Sequence, residues 1–183
     1  MKKTTACTAL FSLTLAAGSL AASPLTMSEK MGKNVYQDKD LSYNSTQSCA
    51  TCHHRSAGFA DPANARDPYY TVVSLGADGI SKGGRNAPTS AYAGYSPILH
   101  QAAAGEWYGG MFWDGRATGK TLGDPLAEQA QGPPLNPVEM NMPDMEAVVQ
   151  AVADSGYAYL FTEMYGTNFF ADVENAFDVI AMH

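Results

Sequence analysis

The chain has 183 residues, of which 45% are hydrophobic and 16% charged, enough apolar material for one packed domain. Its formal charge of −7 argues against nucleic acid or an anionic membrane face as a partner. Only three cysteines are present, at positions 7, 49 and 52, so no disulfide framework is expected.

In chain order, Lys2 and Lys3 precede an apolar run over residues 6–20, and small residues at 19–22 form a cleavage site. Residues 1–22 therefore read as a secretory signal peptide, too short and wrongly flanked for a membrane span. Its removal takes Cys7 away, and the loss of Lys2 and Lys3 moves the formal charge from −7 to −9. A mature, exported, periplasmic domain over 23–183 is expected, and no later stretch is apolar enough to span a bilayer. Residues 25–36 have helical character, with Leu25, Met27, Met31 and Val35 as apolar positions. Residues 38–46 are polar and turn-like, residues 54–67 read as a loop, and residues 67–86 form a long glycine-punctuated loop expected to carry a function. Met111, Phe112 and Trp113 form a short apolar knot within 109–115.

The second half reads as helical. Asp124-Pro125 opens a helix within 122–131, and Pro133, Pro134 and Pro137 break the chain after it. Pro143 and Asp144 start another helix, with Met145, Val148, Val149 and Val152 on one face. A short helix follows over 157–165, closed by Gly166. A last one begins at Asp172 and runs to His183 without a capping glycine, so it is expected to continue or to pack on something. There is no internal repeat.

The chemistry concentrates in Ser48-Cys49-Ala50-Thr51-Cys52-His53-His54. Cys-x-x-Cys-His is the spacing that attaches a c-type haem. Two thiols one helical turn apart can each close a thioether on one porphyrin, and His53 follows at once to bind the iron. A thioredoxin-like dithiol does not need the trailing histidine, and no second cysteine pair completes a zinc tetrahedron. One covalent haem c is therefore expected, which leaves no thiol over for a disulfide.

Further stretches follow in a fixed order: Gly83-Gly84-Arg85-Asn86-Ala87-Pro88-Thr89, Phe112-Trp113-Asp114-Gly115-Arg116-Ala117, Glu128-Gln129-Ala130-Gln131-Gly132-Pro133 and Asn136-Pro137-Val138-Glu139-Met140. With the haem motif they closely resemble the N-terminal haem domain of bacterial di-haem cytochrome c peroxidases, a superfamily that also holds the di-haem enzyme maturing methylamine dehydrogenase. The resemblance implies an all-α, cytochrome c-like domain with long Gly/Pro-rich loops around a covalent haem. It also implies a second haem domain, absent here, that takes electrons from a small cytochrome c or cupredoxin donor, and hydrogen peroxide as substrate.

Carried over residue by residue, the resemblance makes His53 the proximal iron ligand, Glu139 the distal acid–base residue and Gln129 the distal amide that bonds the iron-bound oxygen. It makes Trp113 the electron relay between the haems and Asn86 a ligand of an inter-domain calcium. One amide oxygen is far short of the six to eight that calcium takes. On pattern alone, Glu139 reads as a solvated loop residue, Gln129 as the polar face of a helix and Trp113 as core. Arg85 and Arg116 are candidates to pair with haem propionates or with Asp114, and the sequence does not choose.

The chain departs from the family at the loop Ser74-Leu75-Gly76-Ala77-Asp78-Gly79. Many relatives carry there a histidine that fills the sixth iron site; the matching position here is Ala77, so an open distal side is expected. His100 is expected at the surface. The alternative from another class is a mono-haem carrier with His/Met ligation, for which Met111 or Met140 would serve. A third is oxidative maturation of a partner protein.

Overall fold

A computed structural model describes residues 23–183; the expected signal peptide over 1–22 lies outside them. Eight α-helices, four short 3-10 turns and one two-stranded ribbon make up the regular structure of the described residues. The helices fall into two groups, three short or medium ones before residue 67 and five after residue 124.

Helix α1 (Met27–Gln37) starts where Thr26 and Glu29 form a capping box. The Glu29 carboxylate accepts the Thr26 N–H at 2.7 Å, and the Thr26 hydroxyl accepts the Glu29 N–H at 3.2 Å. That box sets the first turn one residue past Leu25, which stays outside the helix. Helix α2 (Cys49–Cys52) is the haem motif itself. Helix α3 (Pro62–Arg66) lies where a loop was expected: Asp61 caps Ala63 and Asn64, and Pro62 takes the first helical position. The same Asp-Pro device opens α4 (Pro125–Ala130), where Asp124 accepts the Leu126 N–H at 2.7 Å. Pro133 and Pro134 do not simply break the chain. They occupy the first turn of α5 (Gly132–Leu135), where a missing N–H leaves no bond unmade.

Helices α6 (Met145–Ala153), α7 (Ala158–Tyr165) and α8 (Val173–Ala181) close a core with α1. Asp144 caps α6, and Asp172 caps α8. Phe161 is fully buried and stacks on Phe169 with centroids 5.5 Å apart. Met31, Val148, Val152, Phe177 and Ile180 complete this cluster. His183 folds back on it: its ring bonds Ser28 of α1 and Tyr165 of α7 and meets Phe161 edge-on. The apolar face of α8 is thus covered by α6 and by the turn at Phe169–Ala171.

Residues 67–123 contain no α-helix. Their only paired strands are β1 (His100–Gln101) and β2 (Trp107–Tyr108), antiparallel with His100 opposite Tyr108, a ribbon too short to show in the sequence. Tyr69, Tyr70, Ile80, Tyr92 and Tyr95 are each more than four-fifths exposed. No helix among the described residues is long and apolar enough to cross a membrane.

Candidate haem site

Helix α2 is held from its first residue. Ser48 is buried, and its cap pairs it with Thr51, whose hydroxyl accepts the Ser48 N–H at 3.0 Å. Gln47 beside it donates from Nε2 to the Leu75 carbonyl at 2.5 Å, tying the motif to the glycine-rich loop. Cys49 and Cys52 are free thiols, three residues apart on one helical turn. Burial pushes the Cys49 thiol up to about 11. Burial also raises Cys52, helped by the Asp61 and Glu139 charges and opposed by a hydrogen bond from Ser74.

His53 sits at the end of α2, its N–H donating to the Cys49 carbonyl at 2.9 Å. Its Nδ1 lies 3.0 Å from the Pro88 carbonyl and 3.3 Å from the Phe59 carbonyl. Both are acceptors only, so Nδ1 carries the proton and Nε2 keeps its lone pair for a metal. Tyr36 of α1 donates to the His53 carbonyl at 2.6 Å and bonds the Ser90 hydroxyl at 2.9 Å. Two segments thus fix the imidazole, and a third fixes the backbone that carries it. Two thiols a turn apart and a histidine held in the metal-binding tautomer fit a covalent c-type haem.

Glu139 is half-buried in the turn after α5. Burial raises its carboxyl above the usual range, against the charges of Arg116 and His53 and a hydrogen bond with Asn136. The charges of His53 and Arg116 act on this carboxyl, and its own charge acts on Cys52. The glycine-rich loop closes over the Glu139 turn. The Ala77 N–H donates to the Glu139 carbonyl at 2.7 Å, and Ala77 is buried. A Cβ on Gly76 would come within 2.8 Å of the Val138 carbonyl, so the loop approaches this turn as closely as only glycine permits. Asp78 holds the loop's tip by accepting the Ile80 and Ser81 N–H groups at 2.9 and 2.8 Å.

Gln129 is half-buried on α4, and no hydrogen bond among the described residues ties it to Glu139 or His53. Met140 lies in the helical core at 4% exposure, where packing occupies it; Met111 is half-buried beside a bridge to Ala117. His100 is exposed, as expected.

Trp113 is not core: it is 66% exposed. Its indole Nε1 donates to the Asn86 carbonyl at 3.0 Å. Asp114 receives Arg85 at 2.9 Å and Arg116 at 2.9 Å, which draws its carboxyl down to about 2, chiefly through Arg85. Both guanidinium groups pair with Asp114, and that of Arg116 also lies 3.6 Å over the Phe112 ring. Phe112 adopts a φ of 64°, a conformation that side chains rarely take and that turns the chain between Met111 and Trp113. Asn86 Nδ2 donates to the Val72 carbonyl at 3.0 Å. Among the described residues no three His, Cys, Asp or Glu side chains gather as a metal site. The Asn86 oxygen alone does not fit calcium.

Sequence reasoning missed Tyr36, Phe59, Pro88 and Asn64. Backbone carbonyl acceptors leave no residue signature. Asn64 would have been reachable through the Asp61-Pro62 start signal, which places it on a helix.

The fold and site define a helical c-type haem domain. The profile of the di-haem cytochrome c peroxidase family matches residues 26–183, and the chain belongs to that family. It is 44% identical over 152 residues to the methylamine utilization protein MauG of Paracoccus denitrificans, covering 82% of this chain and 37% of that protein. It is 33% identical over 152 residues to the cytochrome c peroxidase Ccp of Escherichia coli, covering 82% of this chain and 26% of Ccp. The diheme peroxidase BthA of Burkholderia thailandensis superposes with a TM-score of 0.72 at 31% identity, over 85% of this chain and 36% of BthA. The chain thus spans between about a quarter and somewhat over a third of the length of these relatives. Family membership implies haem c as the group that Cys49, Cys52 and His53 serve.

Proposed function

We propose that residues 23–183 act in the periplasm, after removal of a signal peptide over 1–22, as the peroxide-reactive haem domain of a di-haem peroxidase. Hydrogen peroxide is reduced to two waters with two electrons and two protons. The electrons come from a small cytochrome c or cupredoxin by way of a second haem domain. When bound, haem c supplies an iron that takes peroxide and passes electrons into its O–O bond. Everything else falls to the chain. Cys49 and Cys52 would hold the porphyrin and His53 the iron; the Pro88 and Phe59 carbonyls orient that imidazole, and Tyr36 holds its backbone. The Glu139 carboxylate takes the proton from one peroxide oxygen and returns it to the departing one. A carboxyl raised by burial holds that proton long enough to deliver it. Gln129 is the candidate donor to the oxygen nearer the haem. Trp113 is the candidate relay toward the second domain. Arg85 and Arg116 are the candidates to pair with the haem propionates, beside their bonds to Asp114. A calcium ligand role for Asn86 requires oxygens from the second domain.

The observation that carries this reading is half-buried Glu139, whose backbone carbonyl accepts the Ala77 N–H and whose carboxyl is raised by burial. A methyl group at position 77 offers no sixth ligand, which favours a peroxidase over a His/Met electron carrier; Met140, lodged in the core, weakens the carrier further. The test is peroxide titration of the haem-loaded chain. Glu139→Ala is expected to slow the absorbance response by about 10²–10⁴-fold while haem attachment stays complete. An equal response in the variant removes Glu139 from the mechanism. A low-spin spectrum with a Met–iron charge-transfer band, indifferent to peroxide, turns the assignment to an electron carrier.

A further inference from the structure

Asn64 is a buried polar side chain that the chemistry above does not use. It lies on α3 with 6% exposure, and every side-chain atom that can bond has an identifiable partner. On one side of its amide stand the carbonyls of Thr71 and Val73, and on the other the Nδ2 of Asn86. Two acceptors and one donor fix the orientation. The Asn64 nitrogen donates to Thr71 at 2.6 Å and to Val73 at 3.2 Å, and its oxygen accepts from Asn86 Nδ2 at 3.3 Å. Asn86 Nδ2 donates also to the Val72 carbonyl, 3.0 Å away. Residue 86 is therefore gripped by its side chain from α3 and from the 71–73 segment. Its own backbone carbonyl is the acceptor for the Trp113 indole. Neighbouring Arg85 reaches Asp114, the residue after Trp113, so segments 85–86 and 113–114 are joined in register by two links.

We propose that Asn64 is a positioning residue for Trp113, acting through the side chain of Asn86. Trp113 is two-thirds exposed and has little packing to hold its ring. Phe112, just before it, sits in a backbone conformation of raised energy. An exposed indole on such a turn takes its direction from its hydrogen bond. That bond is only as fixed as the acceptor, and the acceptor is anchored by a buried amide two links away. The α3 helix, capped by Asp61 and tied to residue 71 by the Thr71 hydroxyl on the Ala63 carbonyl, is the rigid end of the chain. The assignment of Trp113 as a relay belongs to the function proposed above; the positioning itself does not depend on it.

The experiment uses the haem-loaded chain in a Trp107→Phe background, so that Trp113 is the sole tryptophan. Ultraviolet resonance Raman then reads the indole hydrogen-bond marker of that one ring. Asn64→Ala is expected to shift the marker toward the unbonded indole. Asn86→Ala, at an exposed position that keeps its backbone carbonyl, is expected to give the same shift, and the double variant no more than either alone. Because Asn86→Ala tests the same link from the surface, a folding failure of Asn64→Ala leaves the proposal open to refutation. A marker unchanged in Asn86→Ala, or additive shifts in the double variant, overturns it. The rate at which an added one-electron donor, ferrocyanide, reduces the peroxide-oxidised haem is followed in the same samples and is expected to fall on the order of two- to tenfold. A shifted marker with an unchanged rate upholds the positioning and overturns the relay.

Discussion

Residues 124–183 and residues 67–123 solve the folding problem in opposite ways. The later segment, with α1, buries Phe161, Val148, Val152, Phe177 and Ile180 against one another, and aspartates cap three of its helices, α4, α6 and α8. The earlier segment buries only Ala77 and Ala117 among its apolar residues while tyrosines stand in solvent. What orders it is polar: loops close on Asp78, on Glu128, on Asn64 and on the Arg85–Asp114–Arg116 group. One half carries its own apolar core. The other is a set of hydrogen-bonded loops gathered around the haem motif, where a bound haem would supply the apolar contacts that its own residues do not make.

The largest effect expected from this contrast is in the core. Phe161→Ala removes a fully buried ring that touches Phe169, Phe170 and Tyr157. It should cost about 3–5 kcal/mol, seen in calorimetry as a fall in Tm of roughly 10 °C. A fall of only a degree or two would show that the helical half is not the seat of stability. Next comes the cofactor: Cys49→Ser with Cys52→Ser prevents thioether attachment. Hydrogen exchange should then rise through 67–123 while α6 and α8 keep their protection. Equal loss of protection in both halves would merge them into one cooperative unit.

The two halves were also unequally legible. The haem motif and the Asp124-Pro125 start are local chemistry, and they made α2 and α4 legible in the sequence. The apolar periods of α6 and α8 gave the core in the same way. Helix α3 obeys the rule that revealed α4, but at five residues it has no apolar period to draw notice. The acceptors for His53 Nδ1 are the carbonyls of residues 59 and 88, and a carbonyl looks alike on every residue. Trp113 was read as core from its type, yet the fold leaves it on the surface with one hydrogen bond. The glycines at 76 and 79 looked alike as punctuation. Only packing distinguishes Gly76, pressed on the Val138 carbonyl, from Gly79, which has open space around it.

That difference makes a sharper test of the loop half. Gly76→Ala puts a methyl group against the Val138 carbonyl and should push the loop off the Glu139 turn, at a cost of about 1–3 kcal/mol. The peroxide response should slow with it, because the Ala77–Glu139 bond is the contact displaced. Gly79 has a φ of 73°, so alanine there strains the backbone but meets no neighbour; the loop should stay seated and the response should hold. Equal slowing by both variants would mean that the response follows loop stability in general rather than this one approach.

The smallest effect concerns acid. Glu128 on α4 accepts the N–H groups of Gly119 at 2.7 Å, Thr121 at 2.6 Å and Leu122 at 3.1 Å, so one carboxylate ties the end of the loop half to the helical half. Desolvation would raise its pKa, but these backbone donors outweigh it and the group lies below its model-compound value of 4.5. A carboxyl lowered in the folded state binds fewer protons there than in the unfolded chain. Its contribution is therefore complete above about pH 4.5 and lost as pH falls through the lowered value. Glu128→Gln should melt a few degrees below the parent at pH 7, and the two melting curves should converge as the pH drops below 4. A gap that stays constant with pH would show that the amide's shape, and not the charge, had been lost. The link between the halves would then rest on packing at Gly119 and Pro125, which lie close enough that a Cβ on Gly119 would strike the proline ring.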